Sequence, residues 1–364
     1  MGQGKIKVGI THGDVNGISY EIMLNGLSDN RMLELCTPII YGSSKVAAYY
    51  RKTLEINQLS IYQIFSAREA RNEQINILNC VGENVVVEMG TVSASAGEAA
   101  YLALERAIED LRNGQIDVLV TAPINKHAIQ SEKFRFAGHT EYLENRAGEK
   151  TKSLMILLKD NLRVALVTGH MPLAKVPNGI TVESVGEKLC IFDHSLKQDF
   201  GIVRPRIAVL SLNPHAGEQG LLGNEEQTII IPAIKQAETN GILAFGPYPS
   251  DGFFGSGNYA SFDGVLAMYH DQGLIPFKTI SMEEGVNFTA GLPFVRTAPA
   301  HGSAYDIVGQ GKASAASFRK AIYTAIDVYR NRNRHKEATA HPLKKQFYDR
   351  GNDNDKLDLT KDEE

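Results

Sequence analysis

The chain is punctuated by short, near-continuous apolar runs that stop at polar or glycine-rich turns. Lys5–Ile10, Pro38–Tyr41, Ile116–Val120, Ile207–Leu212 and Val265–Met268 are of this kind. Runs of four to six residues are too short for buried helices, and they read as strands covered on both faces, which is the signature of a largely parallel sheet. Between them lie helical patterns. Ser95 and Glu98 have capping-box spacing, Leu104, Ala107, Ile108 and Leu111 share one face, and Gly114 ends the segment, so a helix is expected over Ser95–Arg112. Ser317–Arg330 places Phe318, Ala321, Ile322, Ala325, Ile326 and Tyr329 on one stripe, and Glu183–Phe192 and Glu225–Glu238 have helical content. Leu154–Leu158 and Leu162–Val167 are separated only by Lys159-Asp160-Asn161, a hairpin signal that makes part of the sheet antiparallel. The fold class is therefore α/β. The pattern dissolves from about Asn331, and 351–364, GNDNDKLDLTKDEE, reads as an acidic polar tail.

Length and charge narrow the function classes. A chain of 364 residues suggests about two domains. A formal net charge of −4 argues against nucleic acid or an anionic membrane as partner. No apolar run nears the ~20 residues of a membrane span, and MGQGKIKVGIT carries no apolar signal-peptide core. Cys36, Cys80 and Cys190 are far apart and form no CxxC pair, so neither a disulfide framework nor a thiolate zinc site is indicated. The expected compartment is the cytoplasm.

Three of the ten histidines share one context. His170 follows the run ending at Val167, His215 the run ending at Leu212, and His270 the run ending at Met268. Ligands of open α/β sheets bind outside the carboxyl ends of the strands. Three imidazoles arriving there suit a divalent metal, Zn²⁺ foremost, with one coordination position left open. Each histidine taken alone reads more readily as a strand-end cap, and it is the shared context of all three that points to a metal. A second set, His139, Thr140, Lys278, Asn287 and Arg296, supplies donors suited to phosphate or carboxylate. A third segment, His301–Ala313, combines glycines with polar side chains but matches neither a Walker A nor a Rossmann pattern. Gly255-Ser256-Gly257-Asn258-Tyr259-Ala260 fits G-x-G-x-x-A only formally, without a preceding strand, and reads as a flexible loop.

The collinear motifs TAPINK, GHTEYL, VALVTGHMPL, LNPHAGE, AMYHDQGLIPFK, GVNFTAGLPFVRT and HGSAYDIVGQGKA resemble the 4-hydroxythreonine-4-phosphate dehydrogenase family over about residues 5–330. The resemblance implies a two-domain, three-layer α/β/α enzyme with mixed sheets, similar in fold to isocitrate and isopropylmalate dehydrogenases. The domains would be 1–128 plus 305–334 and 129–304, followed by a charged tail, 335–364. It implies a homodimer with shared active sites, with a divalent metal (Zn²⁺, or Mg²⁺ or Co²⁺) on His170, His215 and His270 and one ligand from the partner chain. Substrate contacts would come from His139, Thr140, Lys278, Asn287 and Arg296. His301, Gly302, Ser303, Asp306 and Gly309 would hold NAD or NADP. The implied reaction oxidises 4-phosphooxy-L-threonine to a β-keto acid that decarboxylates to 3-amino-2-oxopropyl phosphate, a step in vitamin B6 biosynthesis. Asp251 and Asp271 are the candidate proton acceptors, and either also suits orientation of a metal-bound imidazole. The family's N-terminal segment reads GDPAGIGPE, whereas here Gly13–Glu21 lacks both prolines. The alternatives are a related dehydrogenase of a four-carbon sugar-acid phosphate, a zinc hydrolase, and a non-catalytic phosphate-binding protein.

Overall fold

The computed structural model describes residues 4–341 except 57, 83, 84 and 282. Its twelve strands are β1 (Ile6–Thr11), β2 (Cys36–Gly42), β3 (Ile61–Ile64), β4 (Ile75–Asn79), β5 (Val118–Thr121), β6 (Leu154–Lys159), β7 (Leu162–Leu166), β8 (Arg206–Leu210), β9 (Leu243–Tyr248), β10 (Gly264–Ala267), β11 (Val286–Ala290) and β12 (Val295–Pro299). They form one sheet in the order β3-β4-β2-β1-β5-β12-β11-β6-β7-β10-β8-β9. The expected plural sheets are thus one continuous ladder, because β12 pairs with β5 on one side and β11 on the other. Antiparallel pairing is confined to β12–β11–β6–β7, and the expected hairpin closes over Asp160-Asn161, with Lys159 opposite Leu162.

Helices cover both faces, and the cores they make differ. On one face a single apolar core runs along the whole sheet beneath the helices Ser19–Leu27, Val182–Gln198 and Ala316–Thr339. On the other face there are two cores. One lies under the helix Ala94–Arg112 and includes Leu104, Ile108, Leu119 and Phe134. The other gathers Leu166, Leu210, Phe253, Val265 and Phe277. Strand alternation explains the gap between them. Val118, Val120, Val295, Val286, Phe288, Leu154 and Ile156 point into the continuous core. Their alternates include Thr121, Arg296, Asn287 and Thr289, which are polar.

Several local expectations are corrected. Ser93, not Ser95, caps the helix 94–112, accepting from Ala96 N at 3.3 Å. The final helix runs through Thr339, beyond Arg330, where Arg332 docks the extension by donating from Nε to Asp199 Oδ1 at 2.6 Å and from Nη1 to Leu292 O at 3.0 Å. Glu225–Glu238 is not one regular helix: a wide π turn at Glu226–Ile230 precedes Ile231–Thr239. The 255–260 segment is the end of a short helix, Ser250–Gly255, followed by a 3₁₀ turn at Asn258–Ser261. The missing prolines of 13–21 are replaced by side-chain clamps. Asp14 Oδ1 accepts from Asn16 N at 2.9 Å, and the Asn16 amide binds Thr91 O, Ser93 Oγ and Glu88 N at 2.8–3.0 Å. Residues 342–364 of the expected tail lie outside the described residues.

His12, at the end of β1, is fully buried, and its Nε2–H donates to Ala99 O at 3.1 Å, leaving Nδ1 unpartnered. Burial pushes its imidazole down from 6.5 to about 4, opposed by that hydrogen bond. The unfolded chain then takes up a proton near pH 6.5 that the folded chain refuses until about pH 4. Stability is full above that window and falls as pH drops through it, by about 3 kcal/mol at the bottom. Urea unfolding of the wild type and His12→Gln between pH 7 and 4.5 checks this. The variant is expected to show a shallower pH slope, and equal slopes contradict the assignment.

Candidate active site

The gap between the two cores is a cavity of about 260 Å³. Its floor is the cavity-facing row of β5, β12, β11 and β6: Thr121, Arg296, Ala298, Asn287, Met155 and Leu157. Its walls bring together Lys126, His139, Thr140, Glu141, His170, His270, Lys278, His301 and Gly302. The whole predicted anion-binding set is therefore in one place, together with two of the three candidate metal ligands.

Arg296 dominates the electrostatics. It is 2% exposed, and its partners are neutral. Nε and Nη2 donate to Thr121 Oγ1 at 3.1 and 2.6 Å, and Nη1 donates to Thr289 Oγ1 at 3.1 Å and Asn287 Oδ1 at 3.5 Å. Among the described residues no carboxylate forms an ion pair with it. Burial pulls the guanidinium down to about 10, and the charge of Glu141 opposes that. It stays a cation at neutral pH, and a buried cation without a counter-ion costs several kcal/mol. His139 begins the helix His139–Ala147. Burial first, then the Arg296 and Lys126 charges, hold its imidazole well below the usual range, so it is neutral.

The histidine cluster rests on tied strand ends. Thr168 Oγ1 donates to Met268 O at 2.7 Å, joining the segments that carry His170 and His270. Gln272 accepts from Met268 N at 2.7 Å and donates to Ser211 O at 2.6 Å, joining the latter to the segment that leads to His215. The His170 and His270 ring centroids are 5.5 Å apart. Asp271 Oδ1 lies 2.7 Å from His270 Nδ1, and Glu141 Oε1 lies 3.5 Å from His170 Nδ1. Carboxylates on both Nδ1 atoms favour the tautomer with a bare Nε2, the form that binds metals. Lys126 Nζ stands 3.0 Å from His170 Nε2, so a cation already faces that lone pair. The donor chemistry fits a divalent metal.

Other candidates fall elsewhere. His215 is exposed on the Pro214–Gly220 turn and does not line this cavity, and among the described residues no three His, Cys, Asp or Glu side chains converge to hold a metal. Asp251 is exposed in the first turn of Ser250–Gly255, also outside the cavity. In the 301–313 segment only His301 and Gly302 line the cavity. His301 Nε2 is buried and unpartnered, so it is open to a ligand's polar group. Burial also lowers the His301 pKa. Ser303 and Gly309 are half-buried and Asp306 is exposed beyond it. Glu21, fully buried, accepts from Gly309 N at 3.1 Å and Ala313 N at 2.9 Å, while the Tyr305 hydroxyl bonds Asp14. Sequence reasoning missed Lys126 and Glu141 as site residues. Both sat inside quoted motifs at a strand end or helix start, which was the available signal.

A family model described as pyridoxal phosphate biosynthetic protein PdxA matches residues 34–325. The chain belongs to this family. It is 61% identical over 359 residues to a 4-hydroxythreonine-4-phosphate dehydrogenase from Bacteroides thetaiotaomicron, covering 99% of this chain and 98% of that protein. A putative D-threonate 4-phosphate dehydrogenase from Oceanobacillus iheyensis is 38% identical, with 88% and 97% covered. The crystal structure of the Klebsiella pneumoniae 4-hydroxythreonine-4-phosphate dehydrogenase superposes with a TM-score of 0.75 at 32% identity, covering 90% of this chain and all of that one. The PdxA relatives named here are dehydrogenases. Among the described residues no helix is long and apolar enough to cross a membrane.

If Arg296 is kept as an anion receptor, removing it separates stability from binding. Arg296→Met is expected to leave the melting temperature of the ligand-free protein unchanged or higher, and to abolish the thermal protection given by inorganic phosphate. A large drop in melting temperature with protection retained contradicts this.

Proposed function

We propose that the chain oxidises the secondary hydroxyl of 4-phosphooxy-L-threonine with a nicotinamide coenzyme, NAD foremost, and that the resulting β-keto acid loses CO₂ to give 3-amino-2-oxopropyl phosphate for vitamin B6 biosynthesis. The observation that carries this reading is the buried Arg296, whose partners are only hydroxyls and an amide, in a cavity with Lys126 and Lys278. A phosphate dianion and a carboxylate are the counter-charges such a set lacks. The relatives named for both 4-phosphate substrates agree with it.

When bound, a divalent metal supplies the Lewis acidity that lowers the substrate hydroxyl's pKa, and the nicotinamide supplies the hydride acceptor. His170 and His270 would hold the metal with His215, and Zn²⁺ suits three imidazoles. Arg296, Lys278, His139, Thr140 and Asn287 grip the anionic ends and fix the carbinol between them. Neutral His139 donates or accepts without adding charge. Oxidation also releases a proton from the hydroxyl. Asp271 is committed to His270 Nδ1, which leaves Asp251, exposed outside this cavity, as the proposed acceptor. The homodimer with shared sites is supported by Met171 (39% exposed) and Leu173 (71% exposed), which share a concavity with His170 and His270. Two domains, 1–128 plus 305–334 and 129–304, remain the proposed division, with Ile129, Phe134, Tyr142, Leu143 and Leu292 of the second packed into the core under the helix Ala94–Arg112 of the first. His301, Gly302, Ser303, Asp306 and Gly309 are assigned to the coenzyme, with Asp14 and Glu21 fastening that segment.

The test is NADH formation at 340 nm in the presence of Zn²⁺, Mg²⁺ or Co²⁺. With 4-phosphooxy-L-threonine it is expected to be rapid. Unphosphorylated 4-hydroxythreonine is expected to lose at least about 100-fold in kcat/KM, because each unpaired buried donor costs about 1–3 kcal/mol. Comparable values for the two contradict the reading. A preference for D-threonate 4-phosphate moves the substrate to the hydroxy-acid branch while keeping the phosphate site.

A further inference from the structure

The turn that carries His215 is the most strained segment among the described residues. His215, Ala216, Gly217, Glu218 and Gln219 are consecutively left-handed, with φ of 52°, 51°, 75°, 44° and 57°. Four of the five are not glycine, and each such residue is disfavoured in this region. Five in a row persist only if their surroundings over-determine them.

The entry to the turn is held by Glu226, 1% exposed, at the start of the π turn Glu226–Ile230, with Glu225 Oε2 also accepting from Asn213 Nδ2 at 2.7 Å. Glu226 Oε1 accepts from Leu212 N at 2.8 Å and Asn213 N at 2.7 Å, and its Oε2 accepts from Asn213 Nδ2 at 3.0 Å. This carboxylate gathers the backbone that enters the turn. It also presses on the turn's middle, since a Cβ on Gly217 would lie 2.6 Å from Oε2. Ser211 adds a bond from Oγ to Asn213 O at 2.9 Å, so the strand end and the turn entry are one rigid piece. His215 is exposed on this turn.

We propose that Glu226 is a positioning residue that fixes the left-handed turn 215–219 and so presents His215 for metal binding. It rests on the reading of His170, His215 and His270 as one metal set. Glu226 touches neither ligand atoms nor substrate. Its effect is to remove the ordering that a flexible His215 would undergo on binding.

The experiment uses the full chain with Zn²⁺ as probe. Glu226→Gln keeps the volume but sets an amide donor against Asn213 Nδ2. It is expected to weaken Zn²⁺ binding by about tenfold or more, measured by chelator competition. Amide hydrogen exchange across 212–222 in the metal-free protein is expected to accelerate at least several-fold, with the melting temperature little changed. Gly217→Ala loads the same turn from the other side and is expected to weaken Zn²⁺ in the same direction. In a His215→Ala background, Glu226→Gln should cost no further affinity. Additive losses there, or unchanged exchange across 212–222, overturn the proposal. If His215→Ala leaves Zn²⁺ affinity intact, the metal reading of His215 fails; faster exchange in Glu226→Gln would then show that Glu226 holds a turn presenting no ligand.

Discussion

The site depends on a charge placed where a sheet would normally be dry. Four adjacent strands, β5, β12, β11 and β6, send valines, phenylalanine, leucine and isoleucine into one face's continuous core. On the opposite face the first three of these strands offer Thr121, Arg296, Asn287 and Thr289, while β6 offers Met155 and Leu157. Apolar packing cannot cross this row, so that face carries two cores with a cavity between them. Arg296 then sits in a low-dielectric floor with hydroxyls and an amide around it, and the proposed substrate anion is the counter-charge it would take.

The rest of the site is arranged around this floor by ties between strand ends. Thr168 and Gln272 lock three neighbouring segments so that their histidines start from fixed backbone positions. Carboxylates at Asp271 and Glu141 orient the His270 and His170 rings, while His215 stands on a strained turn outside the cavity. Beyond the cavity Asp14 and Glu21 fasten the 303–313 segment to the stretch that follows β1.

Much of this was legible in the sequence for physical reasons. Near-continuous apolar runs mark strands that are buried on both faces, and seven of the twelve strands announced themselves that way. The hairpin was visible because only a few residues separate two apolar runs. β11 and β12 were harder, since Asn287 and Arg296 interrupt them, and the residues that hid these strands are the ones that make the floor. His170 and His270 were readable from their strand ends. The left-handed turn at His215 was not, because four of its five residues carry no preference for that region, and its entry at Leu212 and Asn213 is held by Glu226, a contact between segments. Lys126 was passed over because a single lysine has no spacing signal. Its meaning comes from facing His170, which is 44 residues away in sequence.

The central claim is that the cationic floor exists to bind the substrate's phosphate as a dianion. The direct measurement is the ³¹P NMR shift of 4-phosphooxy-L-threonine bound to the full chain without coenzyme, followed from pH 5 to 8. A free phosphate monoester takes up its second proton near pH 6. Beside Arg296, Lys278 and Lys126 the bound phosphate is expected to stay dianionic across the whole range, with no titration in its shift. A bound phosphate that titrates near pH 6, as the free ester does, would contradict the account.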